Sequence, residues 1–85
     1  MSRKYVDKEE LEHRIRRWAE LEEEARRIRR EMADWEFIEK QEPRIKEALK
    51  YYIEKGDIRR ASMLAGVDLE AFRDLLRKAR IPVIV

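Results

Sequence analysis

Leu11, Trp18, Ala25 and Met32 stand seven residues apart, and Leu21, Ile28 and Trp35 form a second column at the same interval. Such columns are the a and d positions of a heptad repeat, broken here only by Arg14. The pattern predicts one long amphipathic helix within residues 1 to 42, with an apolar seam that the helix cannot cover by itself. We read it as a dimerisation arm with Leu11, Trp18, Leu21, Ala25, Ile28, Met32 and Trp35 as the seam of a homodimer. In a parallel pair Arg17 would face Glu22 and Glu24 would face Arg29, both opposite in sign, but Glu31 would face Glu36. Two tryptophans and an alanine also suit uniform zipper layers poorly, so an antiparallel pair or an intramolecular hairpin stays open.

Local signals agree with that helix. Asp7 followed by Glu10 has the spacing of a capping box, with Val6 and Leu11 as a hydrophobic staple. Glu10 with Arg14, Glu12 with Arg16, Glu22 with Arg26 and Glu23 with Arg27 are i,i+4 pairs, each worth roughly 0.2 to 0.5 kcal/mol in an isolated helix. The composition behind this is 47% charged, with only two glycines and two prolines in 85 residues, which suits solvated helices. A chain of this length is one domain at most. It has no cysteine, so disulfides and thiolate metal sites are excluded.

After residue 42 the pattern shortens. Pro43 either begins a second helix or kinks the first, and Ile45, Ala48, Leu49, Tyr52 and Ile53 then follow helical spacing. Gly56 reads as a left-handed cap, Asp57 as the start of a third helix, Gly66 as its end, and Asp68 as the cap of a fourth carrying Leu69, Phe72, Leu75, Leu76 and Ala79. Small residues at Ala61, Ser62 and Ala65, a glycine turn, and apolar Val67, Phe72 and Leu75 are what a close helix crossing needs. The expectation is therefore an all-α chain: a long N-terminal heptad-patterned helix followed, over residues 43 to 85, by a helix-turn-helix-like small helical bundle with an aliphatic C-terminal tail.

The charges and the tail supply the candidate contacts. The formal net charge is only +2, with the basic excess after residue 43. Arg73, Arg77 and Lys78 on the fourth helix, with Arg59, Arg60 and Arg80 flanking, are candidate nucleic-acid contacts, opposed by Asp68, Glu70 and Asp74. Ile81, Val83, Ile84 and Val85 are costly to leave in water and either tuck onto the bundle or join a partner as an edge strand. His13 and Ser62 have no neighbours that would make them a ligand or a nucleophile. No nucleophile, base and pocket come together, so the chain reads as no enzyme and needs no cofactor or metal. With no apolar run near the roughly 20 residues of a membrane span, no membrane role and a cytoplasmic setting are expected.

From Tyr52 to Val83 the sequence YIEKGDIRRASMLAGVDLEAFRDLLRKARIPV resembles the prokaryotic UPF0175 family. Tyr52, Gly56, Ala61, Leu64, Ala65, Gly66, Phe72, Leu75, Leu76, Ile81, Pro82 and Val83 carry the likeness, in the order Leu-Ala-Gly, Phe, Leu-Leu, Ile-Pro-Val. The resemblance implies an antitoxin-like protein that binds a PIN-domain ribonuclease toxin as its partner, and its own operator DNA. The expected function is a non-catalytic binding module, antitoxin-like or transcription-regulator-like. A structural or adaptor coiled-coil protein without nucleic-acid binding is the alternative.

Overall fold

A computed structural model describes residues 8 to 83. The capping box and staple at Val6 and Asp7, and the tail residues Ile84 and Val85, lie outside the described residues. Among the described residues there are five helices: α1 (Lys8–Met32), α2 (Trp35–Glu39), α3 (Pro43–Lys55), α4 (Ile58–Ala65) and α5 (Leu69–Lys78). The fold is all-α, with the long first helix packed at one end against a small helical cluster.

The first helix is shorter than the heptad columns imply, and Trp35 is not on it. Asp34 leaves helical geometry at φ −86° and ψ 91°, and its carboxylate accepts the Phe37 amide at 3.1 Å, opening α2. The Asp34 amide itself donates to the carbonyl of Ala79 at 2.7 Å, so the elbow is tied to the end of α5. On a straight continuation of α1, Ile38 would flank the exposed seam one turn beyond Trp35. The elbow instead brings Ile38 into the core with no exposure at all. Trp35, at the start of α2, donates its indole N–H to the Arg30 carbonyl at 2.9 Å.

Pro43 begins α3, behind an extended Glu42, where its missing amide costs nothing. Ala48, Leu49, Tyr52 and Ile53 turn into the core, and Ile45 and Tyr51 pack at its edge. Asp57 and Asp68 cap α4 and α5 by accepting the amides of Arg60 and Ala71 at 3.1 and 2.8 Å. Ala61, Ser62 and Ala65 are all buried where α4 crosses its neighbours, and Phe72 and Leu76 close the centre. Tyr52 meets Phe72 edge-on, with ring centroids 6.3 Å apart.

Both glycines are left-handed, Gly56 at φ 69° and Gly66 at φ 75°, and Arg80 adopts the same geometry at φ 59°. After α5 the Arg80 amide donates to the Arg77 carbonyl and the Ile81 amide to the Leu76 carbonyl, the two bonds of a Schellman motif. That motif pairs its last residue with the helix position it bonds. Ile81 and Leu76 are accordingly buried together, at 3% and 1% exposure.

Candidate functional site

The arm is the largest feature that the core does not use. Every residue from Lys8 to Glu24 is exposed, whereas Ala25 and Ile28 are half-buried and Arg29 is fully inside. Leu11, Ile15, Trp18 and Leu21 lie open at 44, 60, 68 and 57% exposure, and Met32 and Trp35 continue the open side beyond them. Among the described residues none covers the seam from Leu11 to Leu21, so no intramolecular hairpin closes over that part of the arm. Where α1 meets the end of α3, Trp18, Leu21, Ala25 and Ile28 line a groove of about 440 Å³, with Lys55 and Gly56 at its rim. The arm and cluster together extend over 56 × 25 × 17 Å.

What holds the arm to the cluster is a set of arginines at the end of α3. The last carbonyls of a helix have no partner within it and carry its negative dipole end. Arg29 Nε donates to the Ile53 carbonyl and Arg26 Nε to the Glu54 carbonyl, each at 2.9 Å, and Arg30 pairs with the Glu54 carboxylate at 3.0 Å. The Arg29 guanidinium lies 5.6 Å from the centre of the Tyr52 ring and against Gly56, where an added Cβ would come within 3.2 Å of it. The expected pairing of Arg29 with Glu24 of a parallel partner is therefore corrected: Arg29 is 3% exposed and committed to its own chain. Arg44 treats α4 the same way, donating to the Leu64 carbonyl at 2.9 Å with its guanidinium over Gly66. Burial pushes the Tyr52 phenol up from its ordinary pKa, against the pull of the Arg29 charge.

The candidate nucleic-acid contacts are divided between α4, α5 and the turn after it, and two of them are paired with an acidic residue. Arg59 and Arg60 are exposed on the first turn of α4, and Arg73, Arg77 and Lys78 on α5. Asp74 accepts from Arg77 and pairs with Lys78 at 3.4 Å. These two cations hold the Asp74 carboxyl below its ordinary pKa, the Arg77 hydrogen bond first. A shallow depression beside them is lined by Asp68, Glu70, Ala71, Arg73, Asp74 and Arg77, three acidic residues against two basic. Arg80 is exposed, held by its backbone in the left-handed region.

Among the tail residues, Ile81 belongs to the core, so its side chain is not presented to a partner, while Val83 is 52% exposed. His13 is exposed on the arm, and Ser62 is buried with its hydroxyl donating to the Arg59 carbonyl at 2.8 Å. Among the described residues no group of three or more His, Cys, Asp or Glu could hold a metal ion, and no helix is long and apolar enough to cross a membrane. Sequence reasoning missed α2 and the burial of Arg29. Asp34 before Trp35 is a capping signal that could have revealed the first, but nothing distinguishes Arg29 from Arg26, Arg27 and Arg30 before the chain is folded. Comparison with protein-family models, with characterised proteins and with solved structures finds no match to this chain.

Proposed function

We propose that the chain is a non-catalytic binding module of the antitoxin or transcription-regulator type, acting in the cytoplasm. In this reading α1 pairs with a second copy, and α3 to α5 form a helix-turn-helix-like unit that holds a protein partner. One observation carries it: the cluster closes its own core, yet leaves Leu11, Ile15, Trp18 and Leu21 in water on an arm that does nothing for that core. Contiguous apolar surface of this kind marks an interaction site. The order of residues from Tyr52 to Val83 supports the antitoxin-like assignment, with a PIN-domain ribonuclease as the protein partner.

The charge pattern on α5 favours a protein partner over a duplex. Asp74 pairs with both Arg77 and Lys78 within the chain, and Asp68 and Glu70 add negative charge to the same depression. The same pattern is what the adaptor alternative needs, with the helix crossing serving as packing only. Two measurements separate the readings. A PIN-domain ribonuclease encoded beside the chain should co-purify with it and lose its RNA-cleaving activity in the complex. Fluorescence anisotropy with duplexes, including the chain's own upstream region, should show weak binding at low salt that vanishes as salt rises. Binding to neither leaves the adaptor reading in its place.

A further inference from the structure

We infer that the outer face of α4, made of Arg59, Arg60, Met63 and Leu64, is a docking surface for an acidic amphipathic helix of a protein partner. The inference rests on the reading that the cluster holds a protein partner, and it names the surface and the partner's chemistry.

α4 divides cleanly into two sides. Ala61, Ser62 and Ala65 are buried and Ile58 packs at the core edge, which leaves Arg59, Arg60, Met63 and Leu64 as the outer side. Met63 and Leu64 stand in water at 73 and 45% exposure. Arg59 with Met63 and Arg60 with Leu64 are four residues apart, so the face consists of two short ridges, each basic at its start and apolar at its end.

The two arginines have no use inside the chain. They occupy the first turn of α4, where the positive end of a helix disfavours cations, whereas α1 opens with Glu9 and Glu10 and α5 with Glu70. Arg44, in the first turn of α3, is placed against the same rule but donates to the Leu64 carbonyl at 2.9 Å. Among the described residues the side chains of Arg59 and Arg60 make no such bond and no ion pair. α4 itself carries no carboxylate, and the cap Asp57 is engaged by the Arg60 amide at 3.1 Å. A free guanidinium pair beside exposed Met and Leu suits carboxylates set next to apolar side chains. A duplex would use the arginines and gain nothing from Met63 and Leu64, so the apolar pair favours the helix.

A synthetic helical peptide with Leu and Phe at i, i+3, i+4 and i+7 and Glu beside them is titrated into the isotope-labelled chain, and amide shifts are mapped by NMR. The expected result is a set of shifts across α4, lost both in Arg59→Glu with Arg60→Glu and in Met63→Ser with Leu64→Ser. Both variants should stay folded by circular dichroism, because glutamate suits a helix start and the other two side chains are exposed. No shift on α4, or equal shifts from a peptide of the same composition in scrambled order, would overturn the inference. So would a duplex that shifts the same amides while the serine variant binds it as the parent does, which would make the face a phosphate contact. A PIN-domain ribonuclease that co-purifies equally with the parent and both variants would overturn this surface and leave the protein-partner reading standing. Peptide shifts on α4 beside a ribonuclease that does not bind the parent would support the surface and defeat the ribonuclease as its partner.

Discussion

Arg29 shows how much one side chain sets in this fold. Its Nε satisfies a helix-end carbonyl, its plane lies on Tyr52, and its far end fills the space that Gly56 leaves open. One terminal nitrogen, Nη2, is buried without an acceptor, so the cation is held by the ring and the helix dipole more than by full hydrogen bonding. Arg29→Ala would leave the buried Ile53 carbonyl unmet and open a void, for a loss of about 2 to 3 kcal/mol by urea unfolding. Arg26→Ala, at a more exposed site, should cost no more than about 1 kcal/mol; equal losses would contradict the special place of Arg29. Arg80 carries the opposite expectation. A non-glycine residue in left-handed geometry costs roughly 1 to 2 kcal/mol, so Arg80→Gly should raise stability, by up to about 1 kcal/mol after the added chain entropy. For Tyr52, a raised phenol pKa means that the folded chain holds its proton longer than the unfolded one. Its contribution is in place below the ordinary value of 10.0 and is lost as the pH climbs through the folded value. The urea midpoint should therefore fall above pH 10 in the parent and fall less in Tyr52→Phe.

At the scale of elements, the elbow at Asp34 separates what belongs to the arm from what belongs to the cluster. Asp34→Ala removes the acceptor for the Phe37 amide and should cost about 1 kcal/mol. Hydrogen exchange should speed first at Phe37 and Ile38, and unchanged exchange there would show that the cap does not hold the elbow. The later elements were legible in advance because their punctuation is local. Gly56, Asp57, Gly66 and Asp68 each act within their own turn, and the small residues of α4 announce a close crossing before any partner is known. α2 was not legible, because the heptad columns run through Trp35 and outweigh a single capping residue. The packing of Ile81 is intermediate: an aliphatic tail is visible in sequence, but only a Schellman motif at Arg80 decides that Ile81 turns inward. The candidate site divides the same way. The exposed seam from Leu11 to Leu21 follows from periodicity, whereas the loss of Arg77 and Lys78 to Asp74 depends on which rotamers meet on one turn.

Taken as a whole molecule, the chain joins a closed core to an arm whose first two-thirds contribute nothing to that core. Removal of the residues before Ala25 should leave the cluster folded, with its unfolding midpoint nearly unchanged, because every described residue from 8 to 24 is already exposed. In the proposed reading the arm's apolar face is covered by a second copy. Trp18→Lys combined with Leu21→Lys places two ammonium groups at the centre of the proposed interface, where removing them from water costs several kcal/mol, while both positions are exposed in the single chain. Sedimentation of parent and variant is the most direct test. The parent should sediment as a dimer and the variant as a monomer, with the cluster's unfolding midpoint the same in a monomeric chain cut at Ala25 and in the variant. A parent that is monomeric at every accessible concentration, or a variant that remains dimeric, would contradict the account.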